Sequence, residues 1–205
     1  FLFLGGTIMT STKDLLYYIP AGQYGKEGVL ALLEQHPEIK FVSLVGIDLA
    51  GNDTDEKIPM AAFFDDYEAF FEGRAVQTDG SSVVLTNIAT LNNARVDMWG
   101  DPSVNWFVDY NYENIDEATG LPTGTLRIPA FLMHNYRYVD SRSILKNSCD
   151  YVRAELLSLI KEHGLPGMPH VKADDVVDII FTSATELEFW VKTPSRTVTK
   201  KELSV

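Results

Sequence analysis

One stretch of the sequence decides the fold, KFVSLVGIDLAG at residues 40–51. It is rich in β-branched and other large apolar side chains, which predicts a strand over residues 40–49. The residues AGND at 50–53 follow it, and this composition is typical of a turn. A short strand is expected over residues 57–59, so the stretch predicts a strand whose chain turns and comes back beside it.

The rest of the sequence alternates between helical and strand-like patterns. Helices are predicted from helical spacing of apolar residues, or from capping residues, at 11–18, 24–36, 65–71 and 141–163. Asp65 is expected to cap the third helix, and Asp140 or Ser141 the last. Strand-like runs cover much of residues 83–111, and also 125–133 and 175–192. This order of elements predicts an α+β fold with a mixed sheet.

The composition argues against several classes of function. The 205 residues carry a formal net charge of −12, and the sequence pI is about 4.7. An acidic protein of this kind is not expected to bind nucleic acid without sequence preference, or an anionic membrane surface. No apolar run is long enough to span a bilayer. The single cysteine, Cys149, fits a reducing compartment, so we expect a cytoplasmic protein.

The first eight residues are expected to be a translated leader. Residues 1–4 are apolar, but the run is too short for a signal peptide. The first methionine is Met9, and Gly5-Gly6 can be encoded by bases that resemble a bacterial ribosome-binding site. We therefore expect the natural protein to start at Met9; a pyrimidine-ending codon for Gly5 would contradict this.

Two glutamates near the end of the sequence form a candidate metal site. Glu186 and Glu188 are separated by one residue on a predicted strand, and alternate side chains of a strand point to the same face. Adjacent carboxylates repel each other unless a cation or a proton relieves the repulsion. Since Mg²⁺ prefers oxygen ligands, the pair predicts part of a divalent-metal site. A solvated strand face is the alternative interpretation.

The second candidate is the DGSS loop, which we define as residues 79–82. Asp-Gly is above all a turn signal, and alone this sequence predicts a hairpin loop. Its neighbours in the sequence are more informative. Before the loop come residues 40–51, IP at 58–59 and FFEG at 70–73, and after it come DSRSILK at 140–146 and ELEF at 186–189.

This ordered series resembles the glutamine synthetase family, from about residue 24 to residue 190. In that family a strand and turn, a second strand, a short helix and a DGSS loop follow one another in an amino-terminal β-grasp domain. A helix and a strand with the pattern E-x-E-F come next. The resemblance implies a β-grasp-like mixed sheet with packed helices, then a connecting helix and the first strand of a truncated catalytic domain.

The resemblance also implies a division into domains. Residues 1–23 would be an N-terminal extension and residues 24–140 the β-grasp domain. A connecting helix and linker would occupy residues 141–169, and residues 170–205 would start the catalytic domain.

An activity follows from the same resemblance. The family makes glutamine from glutamate, ammonia and ATP through a γ-glutamyl phosphate, with Mg²⁺ or Mn²⁺ as the metal. By position, Glu186 and Glu188 look like the first two metal ligands. Asp79 looks like the aspartate that binds ammonium and helps to remove its proton, and Ser82 like the serine beside it.

In the family the DGSS loop completes the active site of a neighbouring subunit. The resemblance therefore implies a homo-oligomer in which Asp79 and Glu186 serve different active sites. It also implies that the later metal ligands, the ATP pocket and the glutamate-binding arginines lie beyond Val205, so this chain alone is not expected to be active.

Some positions depart from the family pattern. Val83-Val84-Leu85 stand where a glycine–aromatic pair is usual, and residues 105–121 resemble an insertion. These departures leave room for a γ-glutamyl–amine ligase that uses another nitrogen donor. A stand-alone β-grasp interaction module without catalysis is the alternative from outside the enzymes.

The other reactive side chains are expected to be structural. Cys149 lies on the apolar face of the long helix and is expected to be buried and inert. An aromatic group is expected to pack in the core, with an interface patch as the alternative; its members are Trp99, Trp106, Phe107, Tyr110 and Tyr112. The four histidines lack metal-ligand spacing; they are His36, His134, His163 and His170.

Overall fold

A computed structural model describes residues 15–92, 94–186 and 188 of the chain. Its helices are α1 (Lys26–Glu34), α2 (Met60–Asp65) and α3 (Ser141–His163). Its strands are β1 (Tyr18–Ile19), β2 (Ile39–Ile47), β3 (Asp53–Pro59), β4 (Val76–Asp79), β5 (Arg95–Gly100), β6 (Trp106–Ile115), β7 (Pro122–His134) and β8 (Arg137–Tyr138). The predicted α+β fold with a mixed sheet is confirmed. Residues 1–8, the expected leader, lie outside the described residues.

Strand β7 organises the sheet. The strands β1, β6, β7, β2 and β3 lie side by side in that order, β5 and β8 also pair with β7, and β4 pairs with β5. The β2–β7 pair is parallel, whereas the other pairs are antiparallel. Pairing with β2 extends to Pro129, and pairing with β5 begins at Ala130. Proline has no N–H to donate, and Pro129 lies at the point where β7 changes partners.

Side-chain alternation along the central strands builds the core. Val42 and Leu44 on β2 are completely buried, as are Leu126, Ile128 and Leu132 on β7. Residues two apart on a strand face the same side, so each strand contributes a row of apolar side chains. The helices add further members to the same core cluster, namely Val29, Leu33, Met60 and Phe63.

The elements with the strongest periodicity form where the sequence predicts them. Helix α3 covers the predicted range, and α1 and β2 differ from prediction only at their ends. Strand β3 forms opposite β2 with the expected return of the chain, and it starts earlier than predicted.

The prediction that Asp65 caps a helix is wrong. Asp65 is the last residue of α2, which begins directly after Pro59, and the expected helix over residues 65–71 is reduced to a 3₁₀ turn at Glu68–Phe70. Proline is favourable at the start of a helix, as Pro59 is for α2. The first N–H groups of a helix have no partner within it, so the missing N–H of proline removes no intrahelical hydrogen bond.

The helix predicted over residues 11–18 is wrong at its described end. Tyr18 belongs to β1 and pairs with Phe107 on β6. Leu15 and Ile19 are buried in the core, so this part of the chain is held by the sheet. Residues 11–14 lie outside the described residues.

Residues 105–121, expected to be an insertion, supply strand β6, which pairs with β1 and β7. Trp106 and Tyr110 on this strand are buried, as predicted. The same prediction is wrong for Phe107 and Tyr112, which are 54% and 52% exposed. Phe107 points to the opposite side of the strand from Trp106, and Tyr112 comes where the pairing with β7 becomes irregular.

Asp140 connects α3 to the sheet. Its carboxylate accepts hydrogen bonds from the backbone N–H of Ser143 at 2.8 Å and from the Ser143 hydroxyl at 2.9 Å, which confirms the predicted N-cap. It also accepts the N–H of Leu132 on β7 at 3.2 Å. Arg142 adds an ion pair with Asp101, which is itself buried. The start of α3 is therefore fixed by two buried carboxylates.

The apolar face of α3 is exposed at several positions. Leu145, Val152 and Leu159 are 66%, 43% and 48% exposed. Cys149, expected to be buried, is only half-buried for the same reason. No described helix has the length and apolar composition needed to cross a membrane.

The chain divides into two units at residues 148 and 149, within α3. In the second unit, the strand predicted over residues 175–192 is absent from 176–186, which have no regular secondary structure. Most of the remaining range lies outside the described residues. A strand needs a partner for its backbone groups, and the described part of this unit contains no strand to pair with. The expected first strand of a catalytic domain is therefore not found in the described residues.

We expect Asp140→Ala to destabilise the fold by about 1–3 kcal/mol. The change removes the cap of α3 and leaves the N–H of Leu132 without its acceptor. Urea unfolding of the two proteins measures the difference. The matched control is Asp53→Ala, which removes an exposed carboxylate and should stay within about 0.5 kcal/mol of the unchanged protein. Equal losses in the two variants would contradict the assignment.

Candidate functional site

The DGSS loop leaves the sheet at the end of β4. Asp79 is the last residue of that strand and pairs with Arg95 on β5, and Gly80–Ser82 form a 3₁₀ turn. The side chains of Asp79, Ser81 and Ser82 are exposed. The turn predicted from Asp-Gly is therefore formed, and it presents one carboxylate and two hydroxyls to solvent.

The Asp79 carboxylate is held by its own loop. It accepts the backbone N–H of Ser81 at 2.7 Å, an arrangement in which the aspartate side chain mimics a backbone turn. The pKa of Asp79 is lowered below its usual value, mainly by a hydrogen bond from the Ser81 side chain and to a smaller extent by the bond from the Ser81 backbone. The group therefore stays ionised from neutral pH down into the acidic range, and it can bind a cation there.

Gly80 fixes the first half of the loop. Its N–H donates to the carbonyl oxygen of Ala94 at 2.6 Å. A Cβ at this position would lie 2.0 Å from the carbonyl oxygen of Leu91 and 3.0 Å from that of Ala94. Backbone oxygens do not move aside as a flexible side-chain tip does, so the close approach requires glycine.

Asp48 holds the chain just after the loop, a role that was not predicted from the sequence. Its side chain is completely buried at the end of β2 and accepts the N–H of Val84 at 2.9 Å. The N–H of Leu49 donates in return to the carbonyl oxygen of Val84 at 3.2 Å. An acidic residue at the end of an apolar strand, followed closely by a glycine, indicates a turn at that point, but no local pattern indicates the contact with Val84, which is 36 residues away.

The residues that replace the usual glycine–aromatic pair divide between core and surface. Val83 and Leu85 are buried, whereas Val84 and Ile88 are 38% and 66% exposed. Leu85 and Ile88 also line an apolar groove of about 730 Å³, together with Tyr138 and other residues of the β7–β8 hairpin. Leu85 and Ile88 therefore make part of the surface near the DGSS loop apolar, and His134, Asn135 and Arg137 line the same groove.

The two glutamates of the candidate metal site lie in the second unit. Glu186 and Glu188 are exposed and belong to no helix or strand, so the shared strand face predicted for them is not formed. Among the described residues, no group of three or more His, Cys, Asp and Glu side chains is placed to bind a metal ion. Mg²⁺ is usually held by one or two carboxylates together with waters and substrate phosphates, so the pair would supply only part of its octahedral coordination. The described residues do not make a magnesium site by themselves.

Comparison with known proteins finds similarity only among solved structures. No family model matches the sequence, and no curated protein sequence matches it. Among solved structures, the glutamine synthetase of Plasmodium falciparum matches with a TM-score of 0.44 and 14% identity, over 67% of this chain and 24% of that chain. A complex of GmaS with ADP matches with a TM-score of 0.32 and 15% identity, over 54% of this chain and 21% of that chain.

The chain thus spans less than a quarter of the length of either protein. At these TM-scores the likeness supplies no argument about function. Any functional assignment depends on the residues of this chain.

We expect Gly80→Ala to destabilise the first unit by about 1–3 kcal/mol, because the added methyl group meets backbone oxygens that cannot retreat without distorting the loop. Urea unfolding measures the loss, and amide hydrogen exchange at position 80 reports on its bond to Ala94. Gly167→Ala is the matched control, since a Cβ there has no atom within 4 Å. A Gly80→Ala protein as stable as this control would contradict the close approach.

We expect Ser81→Ala to raise the pKa of Asp79 toward its usual value, because the hydroxyl is the main influence that lowers it. The backbone N–H of Ser81 remains, so the rise is partial. An NMR titration of the Asp79 carboxyl carbon measures it. Ser82→Ala should leave that titration unchanged, and an equal response to both changes would contradict the assignment.

Proposed function

We propose that the chain is the amino-terminal part of an ATP-dependent glutamate–ammonia ligase that forms glutamine through γ-glutamyl phosphate. The order and spacing of its sequence motifs support this assignment. The observation that carries it is the exposed Asp79 carboxylate, with a lowered pKa, on a loop that is fixed at both ends. We therefore place the ammonium-binding group of the enzyme at Asp79.

The geometry of Asp79 fits the handling of ammonium. An ionised carboxylate attracts the ammonium cation and can take one proton from it. The neutral ammonia that remains can then attack the γ-carbonyl carbon of γ-glutamyl phosphate, and phosphate departs. The lowered pKa favours the first of these roles over the second, because a weaker base holds a proton less well. In this proposal Asp79 chiefly binds and orients ammonium, and the exposed hydroxyl of Ser82 lies in the same loop to assist.

The proposal also includes a metal site and an oligomer. Glu186 and Glu188 would supply carboxylate oxygens to Mg²⁺ or Mn²⁺, and the other ligands would come from outside the described residues. The metal would neutralise phosphate charge when ATP is bound. An exposed loop with one carboxylate suits a site completed by a neighbouring subunit, so we propose a homo-oligomer.

A γ-glutamyl–amine ligase is the second candidate function. Its support is the apolar part of the groove near the DGSS loop, which is lined by Leu85 and Ile88. An alkyl group on the attacking amine would bury its apolar surface there, whereas ammonium offers no such surface. The nitrogen donor therefore distinguishes the two reactions.

We expect Asp79→Ala in the full-length protein to lower kcat/KM for ammonium by about 100-fold or more. Nucleotide affinity should stay unchanged, because the variant loses the ammonium-binding carboxylate and keeps the nucleotide site. Phosphate release from ATP and glutamate, with ammonium or methylamine as the second substrate, measures the effect. Asp53→Ala serves as the matched loss of an exposed carboxylate outside the loop.

Three outcomes separate the candidates. A preference for methylamine over ammonium in the unchanged protein selects the γ-glutamyl–amine ligase. Equal loss of ammonium use and nucleotide affinity in Asp79→Ala contradicts the role given to this residue. Absence of any glutamate-dependent phosphate release with either amine contradicts the ligase and favours a non-catalytic module.

A further inference from the structure

We infer that Asp48 is a positioning residue for ammonium use, because its buried carboxylate fixes the chain that leaves the DGSS loop. The inference rests on the proposed function, since it concerns the placement of Asp79. Asp48 itself is not exposed to substrate: its side chain is completely buried.

The carboxylate of Asp48 has a full set of hydrogen-bond donors. One oxygen, Oδ1, accepts the backbone N–H groups of Ala50 and Asn52, each at 2.9 Å. The other, Oδ2, accepts the side-chain amide of Asn52 at 3.0 Å and the N–H of Val84 at 2.9 Å. Three of these four donors belong to the β2–β3 turn, and the fourth belongs to the chain beyond the DGSS loop. One side chain thus joins two segments that are distant in sequence.

The link to the loop is short and has two hydrogen bonds. Val84 is two residues after Ser82, and both of its backbone polar groups are used: the N–H by Asp48 and the carbonyl oxygen by Leu49. Val83, between them, is buried and donates its N–H to the carbonyl oxygen of Gly80 at 3.1 Å. A shift of Val84 would therefore be transmitted directly to the 3₁₀ turn that follows Asp79.

The other end of the loop is anchored to a different part of the sheet. Gly80 donates to Ala94, and Asp79 pairs with Arg95 on β5. With both ends attached, the Asp79 carboxylate has a defined place relative to β2. Without the Asp48 attachment, the N–H of Val84 would lose its acceptor, and this end of the loop would be held only by the Leu49 hydrogen bond and the buried Val83 side chain.

The chemistry of the contact requires a carboxylate. All four partners of Asp48 are donors, so both oxygens must accept. Asparagine has the same shape, but its NH₂ group would face N–H donors in place of one oxygen. Burial is the largest influence on this group and acts to raise its pKa, but the hydrogen bonds from Asn52, Val84 and Ala50 together lower the pKa below its usual value. The ionised form is therefore the one that the fold stabilises.

The test is Asp48→Asn in the full-length protein, with Asp53→Asn as the matched control. Both changes remove one negative charge near the β2–β3 turn, but Asp53 is exposed. We expect Asp48→Asn to lower kcat/KM for ammonium by on the order of 10²-fold, the effect of a displacement of about 1 Å at a reacting group. KM for ATP should not change. Hydrogen exchange at the Val84 amide should accelerate, whereas the amides of β7 should keep their protection.

A second pair of variants keeps the test decisive if Asp48→Asn fails to fold. Val84→Pro removes the N–H that Asp48 accepts and leaves Asp48 in place, and the extended conformation of Val83, with ψ of 109°, is compatible with a following proline. Val84→Ala removes the exposed side chain but retains the N–H. We expect the ammonium defect in Val84→Pro and not in Val84→Ala.

The outcomes distinguish this inference from the proposed function. If Asp79→Ala impairs ammonium use and neither Asp48→Asn nor Val84→Pro does, the positioning role is overturned while the proposed function stands. A loss of ammonium and ATP affinity by the same factor would show general damage and would also overturn it. If Asp79→Ala itself leaves ammonium use unchanged, the proposed function fails and the positioning role fails with it.

Discussion

The structure of the first unit depends on one strand, β7, because β2, β5, β6 and β8 all pair with it. Its side chains Leu126, Ile128 and Leu132 are completely buried, and a shift of one residue would turn this row away from the core. The core therefore fixes the register of β7, and β7 fixes its four partners. The position of the DGSS loop also depends on β7, because the loop follows β4, β4 pairs with β5, and β5 pairs with β7.

Buried aspartates make the connections that the sheet does not make. Asp48 joins the β2–β3 turn to the chain after the DGSS loop, and Asp140 joins the start of α3 to β7. Asp101 accepts hydrogen bonds from Ser103 and pairs with Arg142. Each carboxylate accepts backbone N–H groups, so its burial is offset by hydrogen bonds. In a chain with a net charge of −12, these three acidic groups connect separate elements of the fold, whereas the Asp79 carboxylate is exposed to solvent.

The sequence predicted those features that depend on neighbouring residues and missed those that depend on distant ones. Periodicity was sufficient for α3 and β2, and Asp-Gly for the turn after β4, since each is a local preference. Asp65 looked like a helix cap, but the favourable start after Pro59 placed it at the end of α2. The contact of Asp48 with Val84 spans 36 residues, so no local pattern could reveal it. The run after residue 175 is strand-like in composition, but residues 176–186 form no strand, and the described part of the second unit contains no strand that could pair with them.

The parallel pairing of β2 with β7 has a consequence for the order of folding. It places Val42 beside Leu126, so the central sheet cannot close during synthesis until β7 has left the ribosome. Loop-closure entropy makes such distant pairings slow to form. The β2–β3 hairpin can form earlier, because its two strands are neighbours in sequence. The contact between Asp48 and Val84 requires the chain only as far as residue 84. A nascent chain can therefore form the β2–β3 hairpin while the other edge of β2, which later pairs with β7, still lacks its partner strand.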